Sequence, residues 1–283
     1  MSNPNTGQIA DWNGEQGRRW VEFQQHLDRM IEPFGDAAMK AADVQPGERV
    51  LDVGCGCGST SLALARAVGP TGRVLGIDVS RQMLDAARRL AATQATLPLD
   101  LVEADAAVDT LPGAQDLLYS RFGLMFFDQP AAALRHLRGA LRPGGRCAFV
   151  CWGAPRDNPW AMAPLMAARQ ALGHNPPPAD PLAPGPFAFA DAERLRGLLA
   201  EAGFAGIGIE RFDAPVTLGA SAREAALHCL QIGPVSRLAR EVGAAQEPLI
   251  RDAIEQALAP RATADGSVSL AGSTWVVRAV NSD

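Results

Sequence analysis

The chain has 283 residues, of which 47% are hydrophobic and 20% are charged, and its formal net charge is −5. This balance is typical of a globular protein with one large domain or a domain plus a lid. The negative charge and the lack of a basic stripe argue against a nucleic-acid partner. Because no apolar run reaches membrane-spanning length, membrane insertion is not predicted.

Cysteine usage and the first residues predict a cytoplasmic protein. Five cysteines are an odd number, and Cys55 and Cys57 share one short loop, which does not resemble a disulfide framework. The first residues lack the basic and apolar pattern of a signal peptide. No nearby Cys or His completes a four-ligand set with these cysteines, so no metal site is predicted.

The N-terminal residues 1–45 predict a helical flap. Residues 8–30 have the pattern of one or two amphipathic helices, and residues 33–43 that of another. Trp12 and Trp20 lie in the first segment. Two interpretations of them stay open: aromatic packing of a helix on the sheet edge, or a flap that closes over a ligand.

Strands and helices alternate from residue 46 to residue 152, the predicted core. The predicted strands are Val50–Val53, Val74–Ile77, Leu99–Glu103, Asp116–Ser120 and Cys147–Trp152. The predicted helices are Ser59–Val68, Arg81–Ala92 and Pro130–Leu141. This alternation indicates a parallel sheet with helices on both faces.

The pattern changes in residues 153–283, the predicted remainder of the sheet with two lid insertions. The first insertion, 153–188, is rich in proline around Pro176-Pro177-Pro178. The second, 221–260, predicts two or three helices. Core elements are predicted at 191–202 (helix), 207–212 (strand) and 268–280 (strand or hairpin). Loops at the pocket face carry specificity, so both insertions are expected to shape a substrate pocket.

The first strand runs into a glycine loop, Gly54-Cys55-Gly56-Cys57-Gly58, and then a helix. Glycines let the backbone approach a ligand closely, and a helix N-terminus suits an anionic group. The second strand ends in Asp78, about 20 residues after the last glycine, where a ribose would be held. A dinucleotide fingerprint would need glycine at Ser59 or Ser61, so a nicotinamide-dependent oxidoreductase is disfavoured.

The pattern Asp52-x-Gly54-x-Gly56-x-Gly58 resembles motif I of the class I S-adenosylmethionine-dependent methyltransferases. The resemblance covers about residues 45–152 and includes Asp78, Glu103–Ala106, Ser120–Phe122 and Leu141–Arg146. Among the subfamilies, the chain most resembles the UbiE-like small-molecule group. The implied fold is α/β: a doubly wound, mostly parallel, seven-stranded Rossmann-like sheet with an N-terminal helical flap and helical lid insertions.

The resemblance also implies site residues. Asp78 would accept from both ribose hydroxyls and Asp105 from the adenine amine, although a solvated loop aspartate is the plain alternative for Asp105. The predicted cofactor-binding residues are Asp52, Gly54, Gly56, Gly58, Asp78, Met83, Asp105, Ala106 and Arg121. The predicted substrate-pocket residues are Trp12, Trp20, Phe122, Phe126, Trp152 and Trp160. His26 and His228 are the candidate general bases, although a single histidine on a helix is more often structural.

The predicted function is methyl transfer from S-adenosyl-L-methionine to a small, largely apolar or aromatic metabolite, with S-adenosyl-L-homocysteine as product. The acceptor atom can be oxygen, nitrogen or carbon. The alternative is an enzyme that uses the bound sulfonium for a rearrangement, elimination or cyclisation. A non-catalytic binding subunit is less favoured because the glycine loop is intact. A monomer or homodimer is expected.

Overall fold

The computed structural model describes residues 5–94, 96–174, 176 and 180–282, and its centre is one seven-stranded sheet. The strands are β1 (Arg49–Val53), β2 (Arg73–Asp78), β3 (Leu99–Glu103), β4 (Gln115–Arg121), β5 (Leu141–Trp152), β6 (Phe204–Gly219) and β7 (Val268–Asn281). Their order is β3-β2-β1-β4-β5-β7-β6. Strands β1 to β5 pair in parallel, whereas β7 runs antiparallel to β5. The predicted fold class is therefore confirmed.

Helices precede, connect and follow these strands. They are α1 (Thr6–Asn13), α2 (Glu15–Glu22), α3 (Gln24–Ala42), α4 (Ser59–Val68), α5 (Arg81–Ala92), α6 (Pro130–Arg138), α7 (Pro159–Leu172), α8 (Ala192–Glu201), α9 (Ala222–Gln231), α10 (Gly233–Val242) and α11 (Glu247–Leu258). Short 3-10 turns lie at Leu124–Phe126, Pro155–Asp157, Ala244–Gln246 and Ala259–Arg261.

The sheet brings the chemistry-bearing residues to one edge. In β1 every residue after Arg49 is buried, as expected for a strand covered on both faces. Asp52 lies beside Gly76 of β2 and Tyr119 of β4 in the register of the sheet. The carboxyl ends of β1, β2 and β4 therefore meet at the edge where open α/β sheets bind ligands.

The predicted break between residues 30 and 33 is wrong. α3 runs without interruption through Pro33, although a proline in a helix interior removes a hydrogen bond and usually kinks or ends the helix. One face of α3 buries apolar side chains, Leu27, Met30, Ile31, Phe34 and Ala38, and α3 packs on β4 and β5. Tertiary packing thus outweighs the local effect of the proline.

The chain divides into two compact units, each described by itself. The first holds the described residues of Met1–Trp152, Pro181–Phe212 and Thr274–Asp283, and the second those of Gly153–Asp180 and Asp213–Ser273. In the second unit α7 packs on α10 and α11, and α9 packs on α10 and α11. Residues 1–4 of the predicted flap, and 175 and 177–179 of the predicted proline-rich insertion, lie outside the described residues. The three-part organisation and the lid role of the insertions stay predictions.

Candidate functional site

The glycine loop between β1 and α4 has a backbone that favours glycine at three positions. Gly54, Gly56 and Gly58 have φ of 68°, 56° and 87°, in the left-handed region. A Cβ on Gly58 would come within 2.8 Å of the Ala87 side chain. The backbone N–H groups of Gly54 and Cys55 both donate to the Ile77 carbonyl, so the loop is held against the end of β2.

Asp52 is buried beneath this loop with half of its carboxylate unpaired. Its Oδ2 accepts from the Ser61 hydroxyl at 2.6 Å. Its Oδ1 has no hydrogen-bond partner among the described residues, although Asp52 is only 1% exposed. Burial raises the pKa of Asp52 to about 6, and the Ser61 hydrogen bond and the Arg121 charge oppose that rise. A buried acceptor of this kind calls for a donor from a ligand or water.

Asp78 lies at the carboxyl end of β2. Its Oδ2 accepts from the Gly56 N–H and its Oδ1 from the Ser80 N–H, both at 2.8 Å. Burial raises the pKa of this carboxyl, and the backbone hydrogen bonds counteract the rise. Because a carboxylate oxygen can accept more than one hydrogen bond, both oxygens are suited to a pair of hydroxyl donors.

Met83 and the two N-terminal tryptophans belong to one apolar cluster. Met83, Cys57 and Ala86 form its buried centre, and Trp12, Trp20 and Val21 pack against it. The two tryptophan rings meet edge to face with centroids 5.7 Å apart, and the Trp12 ring meets Phe126 at 5.2 Å. Phe126, predicted as a substrate-pocket residue, thus lies with this cluster.

Polar contacts hold α1 and α2 against the start of α5. The Ser80 hydroxyl donates to the Trp12 carbonyl at 2.7 Å. Asn13 donates to the Val79 carbonyl at 2.7 Å and accepts from the Arg81 N–H at 3.0 Å. These contacts give Trp12 and Asn13 specific partners. The structure shows the tryptophans packed, as in the first interpretation, and closure of a flap over a ligand stays a prediction.

Asp105 follows β3 and is bound by a residue that the sequence reasoning missed. The Asn5 side-chain amide donates to both Asp105 carboxylate oxygens, at 2.9 and 3.2 Å. The side-chain carbonyl oxygen of Asn5 accepts from the Asp128 N–H at 3.1 Å. Asp105 also accepts from the Ala107 N–H at 2.9 Å, and Ala106 between them is buried. The Asp105 carboxylate is thus buried and ordered.

Arg121, at the end of β4, lies in a second cluster that the sequence did not reveal. Its Nη2 donates to Asp28 Oδ1 of α3 at 2.6 Å and to the Ser59 hydroxyl at 3.0 Å. Ser59 also donates to Asp28 Oδ1, at 2.8 Å. Ser59 was predicted only as a helix start, and Asp28 gave no signal beyond its charge.

Four aromatic rings gather near the carboxyl ends of β4 and β5. Phe122 and Trp152 are stacked with centroids 4.5 Å apart, and Phe34 meets Trp152 edge to face at 5.1 Å. Phe212 meets Phe34 at 6.0 Å. Phe122 has a φ of 60°, which is strained for a bulky side chain and is found most often at functional sites.

Three further predicted residues are His26, His228 and Trp160. His26 is partly buried on α3, two positions before Asp28. His228 and Trp160 belong to the second unit. His228 Nδ1 is 2.9 Å from the Leu218 carbonyl, and the Trp160 indole donates to the Asn158 side chain at 3.0 Å.

No group of three or more His, Cys, Asp or Glu side chains is arranged to hold a metal ion in the part of the chain that the structure describes. None of the helices within the described ranges is long and apolar enough to span a membrane.

Comparison with known proteins matches residues 50–145 to a family model described as a methyltransferase domain. The demethylmenaquinone methyltransferase of Staphylococcus saprophyticus is 27% identical over 202 residues, 68% of this chain and 83% of that protein. Its counterpart in Staphylococcus aureus is 35% identical over 128 residues, 44% of this chain and 49% of that protein. An uncharacterised Streptomyces fradiae transposon protein is 40% identical over 116 residues, 40% of this chain and 32% of that protein. The chain thus spans half or less of the length of two of these relatives.

Solved structures share the fold at low sequence identity. YcgJ of Bacillus subtilis gives a TM-score of 0.59 at 16% identity, over 88% of this chain and 98% of that one. Phosphoethanolamine N-methyltransferase 2 of Haemonchus contortus, in complex with S-adenosyl-L-methionine, gives 0.57 at 16%, over 100% of this chain and 61% of that one. The [4+2]-cyclase SpnF gives a TM-score of 0.53 at 17% identity, over 93% of this chain and 94% of that one. At such identities the likeness shows the fold alone.

The sheet has the fold of class I S-adenosylmethionine-dependent methyltransferases, and residues 50–145 match a methyltransferase domain. The chain is similar to demethylmenaquinone methyltransferases, relatives of the UbiE-like group. The family recognised from the sequence motifs is therefore confirmed.

Proposed function

We propose that the chain binds S-adenosyl-L-methionine at the carboxyl ends of β1 and β2 and transfers its methyl group to a small, largely apolar or aromatic metabolite. The observation that carries the proposal is the buried, unpartnered Oδ1 of Asp52 beneath the glycine loop. The cofactor's ammonium, directly or through a water, is a donor of the kind this oxygen lacks. The residues present therefore fit the cofactor.

Each polar part of the cofactor has a counterpart in the chain. Asp78 would accept from the ribose hydroxyls with the lone pairs that Gly56 and Ser80 leave open. Asp105 would accept from the adenine amine, with Ala106 beside it. Met83, behind the loop, would support the adenosyl group through apolar contact. The cofactor when bound supplies an electrophilic methyl group on a sulfonium.

The aromatic cluster supports an apolar or aromatic acceptor. Phe122 follows β4, which pairs with β1, and Trp152 ends β5, which pairs with β4, so both lie at the carboxyl-end edge where such sheets bind ligands. Stacked and edge-to-face rings offer an apolar wall with preferred geometry for another ring. The strained φ of Phe122 fits a residue whose side-chain direction is imposed by the site.

The main contribution of the chain to rate would be alignment. Holding the donor and an acceptor atom in line converts a bimolecular reaction into an effectively unimolecular one. Water exclusion by the packed N-terminal helices would add to this. His26 and His228 stay candidate bases only, and replacing each by Gln and measuring the pH dependence of kcat distinguishes a base from a structural residue. A cytoplasmic monomer or homodimer stays a prediction.

Calorimetry and product analysis test the proposal. S-adenosyl-L-methionine and S-adenosyl-L-homocysteine should bind with Kd values in the micromolar range, and Asp78→Ala should raise both Kd values by about 10- to 100-fold. Asp36→Ala, at an exposed position of α3, is the matched control. Incubation with a panel of phenols and hydroquinones should release S-adenosyl-L-homocysteine in step with methylated product. Product formation with unchanged cofactor would instead establish the non-methylating alternative, and no cofactor binding would reject both.

A further inference from the structure

Asn5 lies just before α1, and its side chain is buried against the loop that follows β3. Its amide nitrogen is 2.9 and 3.2 Å from the two carboxylate oxygens of Asp105, and the two residues are 4% and 6% exposed. The Asn5 backbone carbonyl accepts from the Ile9 N–H at 2.9 Å, in the first turn of α1. The position of this amide is therefore tied to the helix that begins beside it.

Two neighbours of opposite hydrogen-bonding character fix the orientation of the Asn5 amide. The backbone N–H of Asp128 donates to the Asn5 side-chain oxygen at 3.1 Å, and an N–H group cannot accept in return. The carboxylate of Asp105 is an acceptor, so the amide nitrogen must face it. A flipped amide would lose both contacts. The chain therefore presents an N–H donor, and not the amide oxygen, to Asp105.

The Asp105 carboxylate needs support because it lies on a loop and not in a strand. Its hydrogen bond from the Ala107 N–H comes from its own turn. The torsion about the Cβ–Cγ bond of an aspartate has only broad minima. A nitrogen within reach of both oxygens restrains this rotation, and it comes from a residue 100 positions away. The direction of the carboxylate thus depends on the N-terminal segment as well as on its own loop.

We propose that Asn5 is a positioning residue for adenine recognition, which orients Asp105 so that its carboxylate accepts from the adenine amine. The inference rests on the proposed function, in which Asp105 binds this amine. Asn5 acts through Asp105 and needs no contact with the cofactor. A carboxylate has about four lone-pair sites, so accepting from Asn5 does not exclude accepting from an adenine amine. The consequence is a preference for a purine that carries an amine at this position.

Calorimetry of the full chain with two ligands measures this preference. One ligand is S-adenosyl-L-homocysteine, and the other is its 6-deamino analogue, which has hydrogen in place of the adenine amine. The unmodified chain should bind the analogue about 10- to 100-fold more weakly, the range of a hydrogen bond to a charged group. Asn5→Ala should raise the Kd of S-adenosyl-L-homocysteine by about 3- to 10-fold and change that of the analogue by less than about twofold. A residue with only a structural role would move both Kd values together.

A double-mutant cycle tests whether Asn5 acts through Asp105. Asp105→Ala should remove the preference for the amine, and adding Asn5→Ala to it should leave the Kd of S-adenosyl-L-homocysteine unchanged. Asn5→Asp keeps the size of the side chain and an acceptor for Asp128, but puts a second carboxylate against Asp105. It should therefore weaken binding at least as much as Asn5→Ala. The matched control is Gln25→Ala, which removes an amide from an exposed position of α3 and should change neither Kd.

The outcomes separate this inference from the proposed function. Tighter binding of S-adenosyl-L-homocysteine by Asn5→Ala would mean that the Asn5 amide competes with the adenine amine, and would overturn the inference. An equal change for both ligands, no change for either, or an effect of Asn5→Ala that persists without Asp105 would overturn it as well. In each of these cases the unmodified chain still binds the cofactor product. Failure of the unmodified chain to bind either ligand would instead reject the proposed function.

Discussion

Replacing Asp52 by Asn should stabilise the chain and weaken its cofactor binding. A pKa of about 6, against 3.8 for an ordinary aspartate, means that burial disfavours the ionised form. Because the folded state holds the proton more tightly, Asp52 does not lower the free energy of unfolding well below pH 4, where it is protonated in both states. Between about pH 4 and pH 6 its ionisation costs stability, and above about pH 6 this cost stays constant at about 3 kcal/mol. The neutral amide of Asn removes this cost and can still accept from Ser61.

Urea unfolding at several pH values measures this effect. The free energy of unfolding of Asp52→Asn should exceed that of the unmodified chain by an amount that increases between about pH 4 and pH 6 and levels off above. Cofactor affinity should move the opposite way, since the ammonium favours an ionised Asp52. In the unmodified chain affinity should therefore fall as pH drops below about 6, and in the variant this part of the fall should be absent.

A stability difference that is independent of pH would refute this reasoning, because it would mean that Asp52 does not titrate in the folded chain with a raised pKa. Ser61→Ala separates the two partners. It removes the hydrogen bond that lowers the pKa of Asp52. In this variant the pH range over which ionisation of Asp52 lowers the free energy of unfolding should therefore move to higher pH, and the effect should stay destabilising.

Three further substitutions test other parts of the structure. Gly17→Ala places a Cβ 1.9 Å from the Trp12 carbonyl oxygen, so hydrogen exchange of residues 6–22 should accelerate, whereas Gly7→Ala, with open space around it, should not change it. Trp152→Leu removes the ring stacked on Phe122 and should raise the KM of an aromatic acceptor about 3- to 10-fold, with an unchanged Kd for S-adenosyl-L-homocysteine. Asn158→Ala leaves the Trp160 indole and the Ser273 N–H without this acceptor. It should lower the free energy of unfolding by about 3 kcal/mol in urea titration, and an effect below about 0.5 kcal/mol would contradict the reasoning.

The sheet and the glycine loop could be predicted because local signals agree there. β1 reads as an apolar run, the loop is marked by its glycines, and Asp78 follows at a fixed spacing. The helix through Pro33 could not be predicted, since its continuity depends on packing against strands more than 80 residues away. β5 begins earlier than predicted, because Leu141 already pairs with Gln115 of β4. β6 extends beyond its predicted bounds, 207–212, at both ends.

The polar partners of the site were less predictable than its acidic residues. Asn5 and Asp105 are 100 positions apart, and Asp28 and Arg121 are 93 apart. Neither pair has a motif, because each contact arises only when the N-terminal helices lie against the sheet. Asp78 and Asp52 could be found because their positions follow from the strand that carries them.

The N-terminal segment supplies partners to two residues that are predicted to bind the cofactor. Asn5 donates to Asp105, the carboxylate proposed for the adenine amine, and Asp28 pairs with Arg121. Between them, Trp12 packs on Met83 and accepts from Ser80, beside Asp78. A sheet with its glycine loop alone would present the same acidic residues without these partners. The same packing that places Trp12 against Met83 also brings Asn5 to Asp105 and Asp28 to Arg121, so packing of these helices and a role in ligand binding do not exclude each other.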